Sequence, residues 1–221
     1  MSPLLETGRM PQPRDAARPD RSSGSSPTER STADDILARA ATLFSQRGYH
    51  AVGIRDLAEA VGLSTSTLYH YYATKQDILF GIINRFLGEF TGRMVSALRD
   101  TAVAPRQRLE RAVTDHVLLT VTRSEELLAG NPVLNALNPQ QQARIAAMRR
   151  EYRDAVRDVI VEGVAAGDFH VVDPLLTAMA MLDMLDGIRA WYHPDAPLSL
   201  DALAAHYRAY ALALCQAGDG G

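Results

Sequence analysis

The only lysine in this chain, Lys75, stands where a cation needs an anionic partner. The 221 residues contain 23 basic side chains, and all the others are arginine. Lys75 follows Thr74, which is suited to cap the N-terminus of a helix. A cation in the first turn of a helix opposes the helix dipole. The arrangement predicts a phosphate site, because backbone N–H groups and the ammonium group would both point at the anion.

A second group of polar side chains lies just before Lys75. Ser64 is a good N-cap for a helix that begins at Thr65, and Leu68 and Tyr72 form its core edge. The rest of that helix offers hydroxyls, phenols and an imidazole, from Thr65, Ser66, Thr67, Tyr69, His70 and Tyr71. Such groups hydrogen-bond to phosphates, and short side chains let a helix enter a major groove. The pattern favours nucleic-acid binding.

The preceding stretch predicts the partner of this helix. Ile54, Leu57, Ala58 and Val61 recur at i, i+3, i+4 and i+7, which is typical of an amphipathic helix. Gly62 then ends that helix, because glycine adopts the left-handed conformation at no steric cost. Two short helices and a tight turn predict a helix-turn-helix at about 53–72. The same spacing also fits a helical hairpin inside a larger bundle, with its polar residues merely solvated.

Three consecutive helices resemble the DNA-binding domain of the tetracycline-repressor (TetR) family. The matching motifs are Ile36-Leu37-x-x-Ala40-x-x-Leu43-Phe44-x-x-x-Gly48-Tyr49, Arg55-Asp56-Leu57-Ala58, Val61-Gly62-Leu63-Ser64, Thr67-Leu68-Tyr69 and Thr74-Lys75. The chain departs from the family pattern at Val52-Gly53, where the family usually has Thr or Ser, and at Tyr71-Tyr72, where it often has His-Phe. The resemblance implies double-stranded DNA as a partner, with contacts from Arg55, Ser64, Thr65, Ser66, Thr67, Tyr69, His70, Tyr71 and Lys75.

The net charge of −3 is unusual for a DNA-binding protein. Binding must therefore depend on where Arg55 and Lys75 point rather than on a general positive field.

The remaining periodicity predicts an all-α fold with no alternating strand pattern. Helix 1 is expected from Thr32, with Thr32-x-x-Asp35 as a capping box, to Arg47, and helix 4 from Lys75 to Phe90. Further helices are expected near 106–128, 140–166, 175–190 and 199–217. The domains are then a tail (1–30), a DNA-binding head (31–76) and a body for ligand binding and dimerisation (77–217).

The tail is rich in Pro, Ser and Gly and poor in apolar residues, so we expect it to be disordered. Two interpretations of its basic residues remain open. Arg14, Arg18, Arg21 and Arg30 could reach an adjacent minor groove, or the tail could act only as a solubilising segment.

The last helix is apolar on two sides. Leu200, Leu203, Tyr207, Tyr210, Ala211 and Leu214 form one stripe, and Ala204, Ala205, Leu212 and Ala213 keep the opposite side small. A helix with two apolar faces usually buries both. The resemblance implies a homodimer through a four-helix bundle of the last two helices, and the alternative is a fully internal helix.

Enzyme and cofactor signatures are weak. Asp183 and Asp186 lie three residues apart, without an accompanying His or Arg constellation. The six histidines lack metal-ligand spacing, and Cys215 is the only cysteine. No glycine-rich phosphate loop, signal peptide or long apolar run is present. We expect no enzyme activity, no cofactor and no bound metal, and we expect a cytoplasmic protein with no membrane partner.

The body should hold a small-molecule effector if the protein senses one. Its helices offer an apolar lining and a few polar groups, namely His116, Leu119, Met148, Tyr152, Met181, Leu185 and Arg189. The flexible methionines fit a broad or elongated apolar ligand, although such methionines are more often plain core. Residues 187–199, with Trp191-Tyr192-His193-Pro194 and Leu198-Ser199, resemble TetR-like regulators of fatty-acid and steroid breakdown. That resemblance implies acyl-coenzyme A effectors, with Arg189 facing the phosphates. Alternatively, Trp191 and Tyr192 only pack the dimer bundle.

The leading hypothesis is a ligand-responsive transcriptional regulator, with repression of an inverted-repeat operator favoured. Three alternatives remain. The chain could be a helical small-molecule binding protein, a drug- or metabolite-sensing regulator, or an enzyme on an all-α scaffold.

Overall fold

The computed structural model describes residues 27–123, 131–193 and 195–216. Within them the chain is helical and has no strand, which confirms the all-α prediction. The eight α-helices are α1 (Pro27–Arg47), α2 (Ile54–Val61), α3 (Thr65–Tyr71), α4 (Lys75–Leu98), α5 (Pro105–Thr122), α6 (Pro139–Ala166), α7 (Pro174–Gly187) and α8 (Leu200–Gln216), with 3₁₀ helices at Asn131–Ala136 and Ile188–Ala190.

The helices α1 to α3 form the head around buried Phe44, Leu57 and Leu68. The predicted caps of α2 and α3 are confirmed. Gly62 ends α2 with φ of 70°, and the Ser64 hydroxyl accepts a hydrogen bond from the Thr67 N–H. Because these caps depend on residues within four positions, the local sequence sets the turn that orients α3.

The start of α1 differs from its prediction. The helix begins at Pro27 and not at Thr32, so the expected capping box is wrong and residues 27–30 are helical rather than part of the tail. Proline suits the first position of a helix, because its φ is already helical and its missing N–H would be unpaired there. Residues 1–26, including Arg14, Arg18 and Arg21, lie outside the described residues.

One helix, α4, belongs to both the head and the body. It packs against α1 near its start and against α5 and α6 farther along. Its apolar face is buried from Ile78 to Leu98, so the helix runs eight residues past the predicted end at Phe90. The body is completed by α8 against α5 and by α7 against α6 and α8.

The body helices lie close to their predicted positions. Pro105, Pro139 and Pro174 each occupy the first helical position, one residue before the predicted start. The helix predicted at α5 continues to Leu128, but residues 124–130 lie outside the described residues. A 3₁₀ helix, Asn131–Ala136, occupies a segment predicted as a breaker. No helix in the described part of the chain is long and apolar enough to cross a bilayer.

The end of α6 generates a stability prediction. A Cβ at Gly163 would overlap the buried Phe169 ring. Gly163→Ala should therefore lower the free energy of unfolding by about 1–3 kcal/mol. Gly92→Ala in α4 is the matched control, because no atom lies within 4 Å of its added Cβ. It should stabilise by about 0.5–1 kcal/mol through helix propensity. Urea unfolding measures the free energy of unfolding of both variants. Equal changes in the two variants would contradict the close packing of Gly163 against Phe169.

Candidate DNA-binding face and internal cavity

The polar face of α3 points to solvent. Tyr69 is 49% exposed. Ser64, Ser66, Thr67, His70 and, on α2, Arg55 are also exposed, while Thr65 and Tyr71 are half-buried. The Ser64 hydroxyl lies 2.8 Å from the hydroxyls of both Ser66 and Thr67. Leu68, by contrast, is fully buried. The fold thus leaves most of the predicted DNA-binding side chains exposed on and beside α3.

Lys75 lies beside this face, but its ammonium group makes contacts that the sequence did not reveal. Its Nζ donates to the Tyr49 carbonyl at 3.0 Å and to the Val52 carbonyl at 2.8 Å. It also lies 4.3 Å from the centre of the Tyr49 ring. An ammonium carries three N–H donors, so at most one is left for a phosphate. Lys75 therefore fixes the turn between α1 and α2, and its phosphate contact stays a prediction.

The N-terminus of α4 carries the predicted cap. The Thr74 hydroxyl accepts from the Asp77 N–H at 3.1 Å. At α2, where the sequence lacks a hydroxyl cap, the Asp56 carboxylate accepts from the Gly53 N–H at 2.7 Å instead. The N-termini of α2 and α4 are therefore each capped by a side chain of the same helix end.

An internal cavity of about 110 Å³ lies between α4, α5, α6 and α7. Its apolar wall consists of Phe86, Leu87, Phe90 and Leu182. The polar lining consists of Thr91, His116, Thr120, Arg149, Tyr152, Asp186 and Arg189. An apolar space with few polar groups is typical of a small-molecule site.

Three of the polar groups form a chain inside the cavity. His116 is only 2% exposed. Its Nδ1 lies 3.1 Å from the Tyr152 hydroxyl and its Nε2 lies 3.7 Å from Asp186 Oδ1. Burial, with the charges of Asp186 and Asp115, raises the pKa of Tyr152. The phenol therefore keeps its proton and lies within hydrogen-bonding distance of Nδ1 of His116, while Nε2 of His116 faces Asp186.

The mouth of the cavity is charged. Burial raises the pKa of Asp186, but the nearby His116 and the charges of Arg189 and Arg149 outweigh it, so this pKa lies below its ordinary value. Asp186 is therefore ionised at neutral pH, and its side chain is 56% exposed. The exposed arginines Arg149 and Arg189 lie at the same end of the cavity.

The predicted lining is partly recovered. His116, Tyr152 and Arg189 line the cavity, whereas Leu119 lines a neighbouring groove. Met148, Met181 and Leu185 are buried in the core and do not line the cavity. Sequence reasoning missed Phe86, Leu87, Phe90, Thr91, Thr120, Arg149, Leu182 and Asp186. The Phe86 and Phe90 spacing was visible, but a core stripe and a cavity wall have the same period.

The last two helices carry large apolar side chains that are exposed. They are Leu175, Leu176 and Met179 on α7 and Tyr210 and Leu214 on α8, and Trp191 between the two helices is exposed as well. An apolar patch of this kind marks an interaction surface, and it lies where the sequence predicts a dimer bundle.

The residues considered for catalysis do not assemble into a site. Burial raises the pKa of the Cys215 thiol to about 11, so the thiol stays protonated at neutral pH. Asp183 is exposed and does not line the cavity that Asp186 faces. Among the described residues, no three His, Cys, Asp or Glu side chains are placed to hold a metal ion.

Two family descriptions match the chain. Residues 36–82 match "Bacterial regulatory proteins, tetR family", and residues 102–215 match "Tetracyclin repressor-like, C-terminal domain". The first region contains the helix-turn-helix, and the second contains most of the cavity lining.

Similar proteins are regulators as well. The transcriptional repressor KstR2 of Mycolicibacterium smegmatis is 29% identical over 181 residues, which cover 81% of this chain and 88% of that protein. The crystal structure of PfmR, a TetR family transcriptional regulator from Thermus thermophilus, is 30% identical and covers 80% of this chain and 97% of its own, with a TM-score of 0.75. The structure of AibR in complex with isovaleryl coenzyme A and operator DNA is 27% identical and covers 81% of this chain and 97% of its own, with a TM-score of 0.71.

The contacts of Lys75 generate a prediction that needs no DNA. Lys75→Met leaves two carbonyls without their donor and should lower the free energy of unfolding by about 1 kcal/mol, because the site is half-exposed. Arg55→Met, which removes one exposed charge from α2, should change it by less than about 0.5 kcal/mol. Urea unfolding measures both changes. A Lys75→Met variant as stable as the wild type would contradict the role of Lys75 in fixing the turn between α1 and α2.

Proposed function

Because the chain belongs to the tetracycline-repressor family of bacterial regulatory proteins, we propose that it is a repressor that a short acyl-coenzyme A thioester releases from an inverted-repeat operator. The family makes it a ligand-responsive, DNA-binding transcriptional regulator and not an enzyme. Regulators of this family bind operator DNA as dimers. We place the protein in the cytoplasm, where that DNA is.

The single observation that carries the effector proposal is the division of the cavity. Its inner wall is apolar, with Phe86, Phe90 and Leu182, and its mouth carries Arg149 and Arg189. A matching ligand has a hydrocarbon part and an anionic part, as an acyl group on a phosphate-bearing carrier does. The complex of AibR with isovaleryl coenzyme A supports this class of ligand.

The size of the cavity favours a short acyl group. A cavity of about 150 Å³ in another protein is known to hold benzene. The 110 Å³ here therefore suits a group of a few carbon atoms, and a long chain would have to displace packed side chains. This differs from the sequence-based interpretation, in which flexible methionines fit a broad or elongated ligand, because Met148 and Met181 do not line the cavity.

The thioester carbonyl would bind at the polar chain of the cavity. At 3.7 Å, the separation of His116 Nε2 and Asp186 exceeds a good hydrogen bond. The Nε2–H of His116 can therefore donate to a carbonyl oxygen, while Tyr152 holds the imidazole from the other side. The coenzyme phosphates would then lie toward Arg149 and Arg189.

On the DNA side, we assign the exposed face of α3 to the major groove. Thr65, Ser66 and His70 would read base edges, while Tyr69 and the remaining donor of Lys75 would contact phosphates. Arg55, Ser64, Thr67 and Tyr71 would complete the contacts. The exposed apolar face of α7 and α8 would pair two copies, and the two-fold symmetry of that pair predicts dyad symmetry in the operator.

The operator prediction is tested by selection from random duplexes. The enriched sites should contain inverted repeats whose half-sites are about one helical turn or more apart. Lys75→Met should reduce the slope of log K against log salt by about 0.9 for each phosphate that the side chain neutralises in the wild type. The salt slope, rather than the affinity, is decisive because Lys75→Met also loosens the α1–α2 turn.

Other variants separate the roles within α3. Tyr69→Phe should weaken binding to all sequences alike, whereas changes at Thr65, Ser66 or His70 should alter which sequence is preferred. Enriched sites without dyad symmetry would contradict the dimer, and an unchanged salt slope would remove Lys75 from the phosphate contacts.

The effector prediction is tested by titrating thioesters against the protein–operator complex. Isovaleryl-coenzyme A should release the DNA at a concentration about tenfold lower than a sixteen-carbon acyl-coenzyme A. Replacing both Arg149 and Arg189 by Gln should weaken isovaleryl-coenzyme A binding about fivefold, as expected for two exposed charge contacts. Calorimetry measures the affinities.

The matched ligand control is the isovaleryl thioester of N-acetylcysteamine, which lacks the phosphates. Its affinity should be the same for the wild type and the double arginine variant. If neither coenzyme A thioester releases DNA at saturation while an unrelated apolar compound does, the protein is a drug- or metabolite-sensing regulator instead.

A further inference from the structure

The N-termini of α4 and α6 meet at the boundary between the head and the body. Asn138 caps α6, and its side chain accepts a hydrogen bond from the Gln141 N–H at 2.9 Å. In return, the Gln141 side-chain oxygen accepts from the Asn138 N–H at 3.2 Å. This is an ordinary capping box, and it leaves the amide nitrogen of Gln141 available for another contact.

That amide nitrogen reaches across to α4. Gln141 Nε2 donates to Asp77 Oδ1 at 3.0 Å. The other carboxylate oxygen of Asp77 accepts from the Thr74 hydroxyl at 2.8 Å, and Thr74 is the cap of α4. The caps of two helices that are far apart in sequence are thus joined in one hydrogen-bonded network. Gln141 is only 8% exposed, so water competes weakly for this bond.

Neighbouring contacts extend the network toward the DNA-binding face. Gln76 donates from its side chain to the Ala136 carbonyl, next to the start of α6. In the same first turn of α4, Lys75 holds the carbonyls of Tyr49 and Val52 just before α2. The first turn of α4 therefore contacts both the start of α6 and the helix-turn-helix.

The cavity lies farther along the same two helices. Phe86, Phe90 and Thr91 of α4 and Arg149 and Tyr152 of α6 line it. A ligand that moves α4 and α6 apart or together at the cavity must also move the N-terminal ends of these two helices, because packed helices move as rigid units.

We propose that Gln141, through its bond to Asp77, is the positioning residue that transmits a change in the body to the head. This inference rests on the proposed function, since it assumes that effector binding weakens operator binding. Gln141 contacts neither DNA nor effector. Its role is to fix the angle between α4 and α6, and thereby the separation of the two α3 helices in a dimer.

The test compares two neighbouring glutamines. Gln141→Met keeps the length of the side chain and removes its hydrogen bonds. Gln142→Met is the matched control, because in the described part of the chain the Gln142 side chain donates to the Leu134 and Leu137 carbonyls and not to α4. For each protein the operator affinity is measured with and without saturating isovaleryl-coenzyme A, and the ratio is the release factor.

We expect the release factor of Gln141→Met to fall by about fivefold or more, which is the lower end of typical coupling between sites. The Gln142→Met variant should keep the wild-type factor. Calorimetry should show that isovaleryl-coenzyme A still binds Gln141→Met. A merely structural role would lower operator affinity equally with and without the thioester, and an unchanged release factor would overturn the proposal.

A second measurement needs no effector. One base pair is inserted between the two half-sites, and the loss of affinity is measured for each protein. The wild type and Gln142→Met should lose affinity strongly, because the angle between α4 and α6 fixes the separation of the two α3 helices. The loss of operator affinity should be about fivefold smaller for Gln141→Met. If isovaleryl-coenzyme A does not release the wild type, the effector assignment fails while this comparison still decides the role of Gln141. An equal penalty in all three proteins would overturn that role.

Discussion

The head and the body of this protein share one helix, α4, whose apolar face is buried from Ile78 to Leu98. Its first turns close the core of the helix-turn-helix, and its later turns form one wall of the cavity. A helix packed on this scale shifts or tilts as a unit, because a close-packed interior resists local deformation. The binding of a ligand and the placement of α3 therefore depend on the same element.

The electrostatics of the molecule act locally. A net charge of −3 gives no general attraction to nucleic acid, so DNA contact depends on a few side chains placed on one face. Lys75 contributes to that face mainly by holding the turn before α2. At the cavity, His116 and two arginines keep Asp186 ionised although it faces a largely apolar space. The cavity thus combines an apolar wall with charged groups at its exposed end.

Features set by nearby residues could be predicted from the sequence. The caps at Gly62, Ser64 and Thr74 and the alternation of buried and exposed residues in α3 were predicted because each depends on neighbours within about four positions. The start of α1 was misplaced because Pro27, which suits the first position of a helix, precedes the Thr32 pattern.

Contacts between distant segments could not be predicted in this way. The carbonyls that Lys75 binds lie 26 and 23 residues away, and Asp77 lies 64 residues from Gln141. Helical periodicity also cannot separate a cavity wall from a core. Met148 and Tyr152 are four residues apart on one side of α6, but only Tyr152 lines the cavity.

The central claim is that one helix couples the effector cavity to the DNA-binding face, and reciprocity tests it most directly. The dissociation constant of isovaleryl-coenzyme A is measured by calorimetry for the free protein and for the protein saturated with its operator. If the two sites are coupled, operator DNA must weaken thioester binding by the same factor by which the thioester weakens operator binding. Equal dissociation constants with and without operator would contradict the coupling.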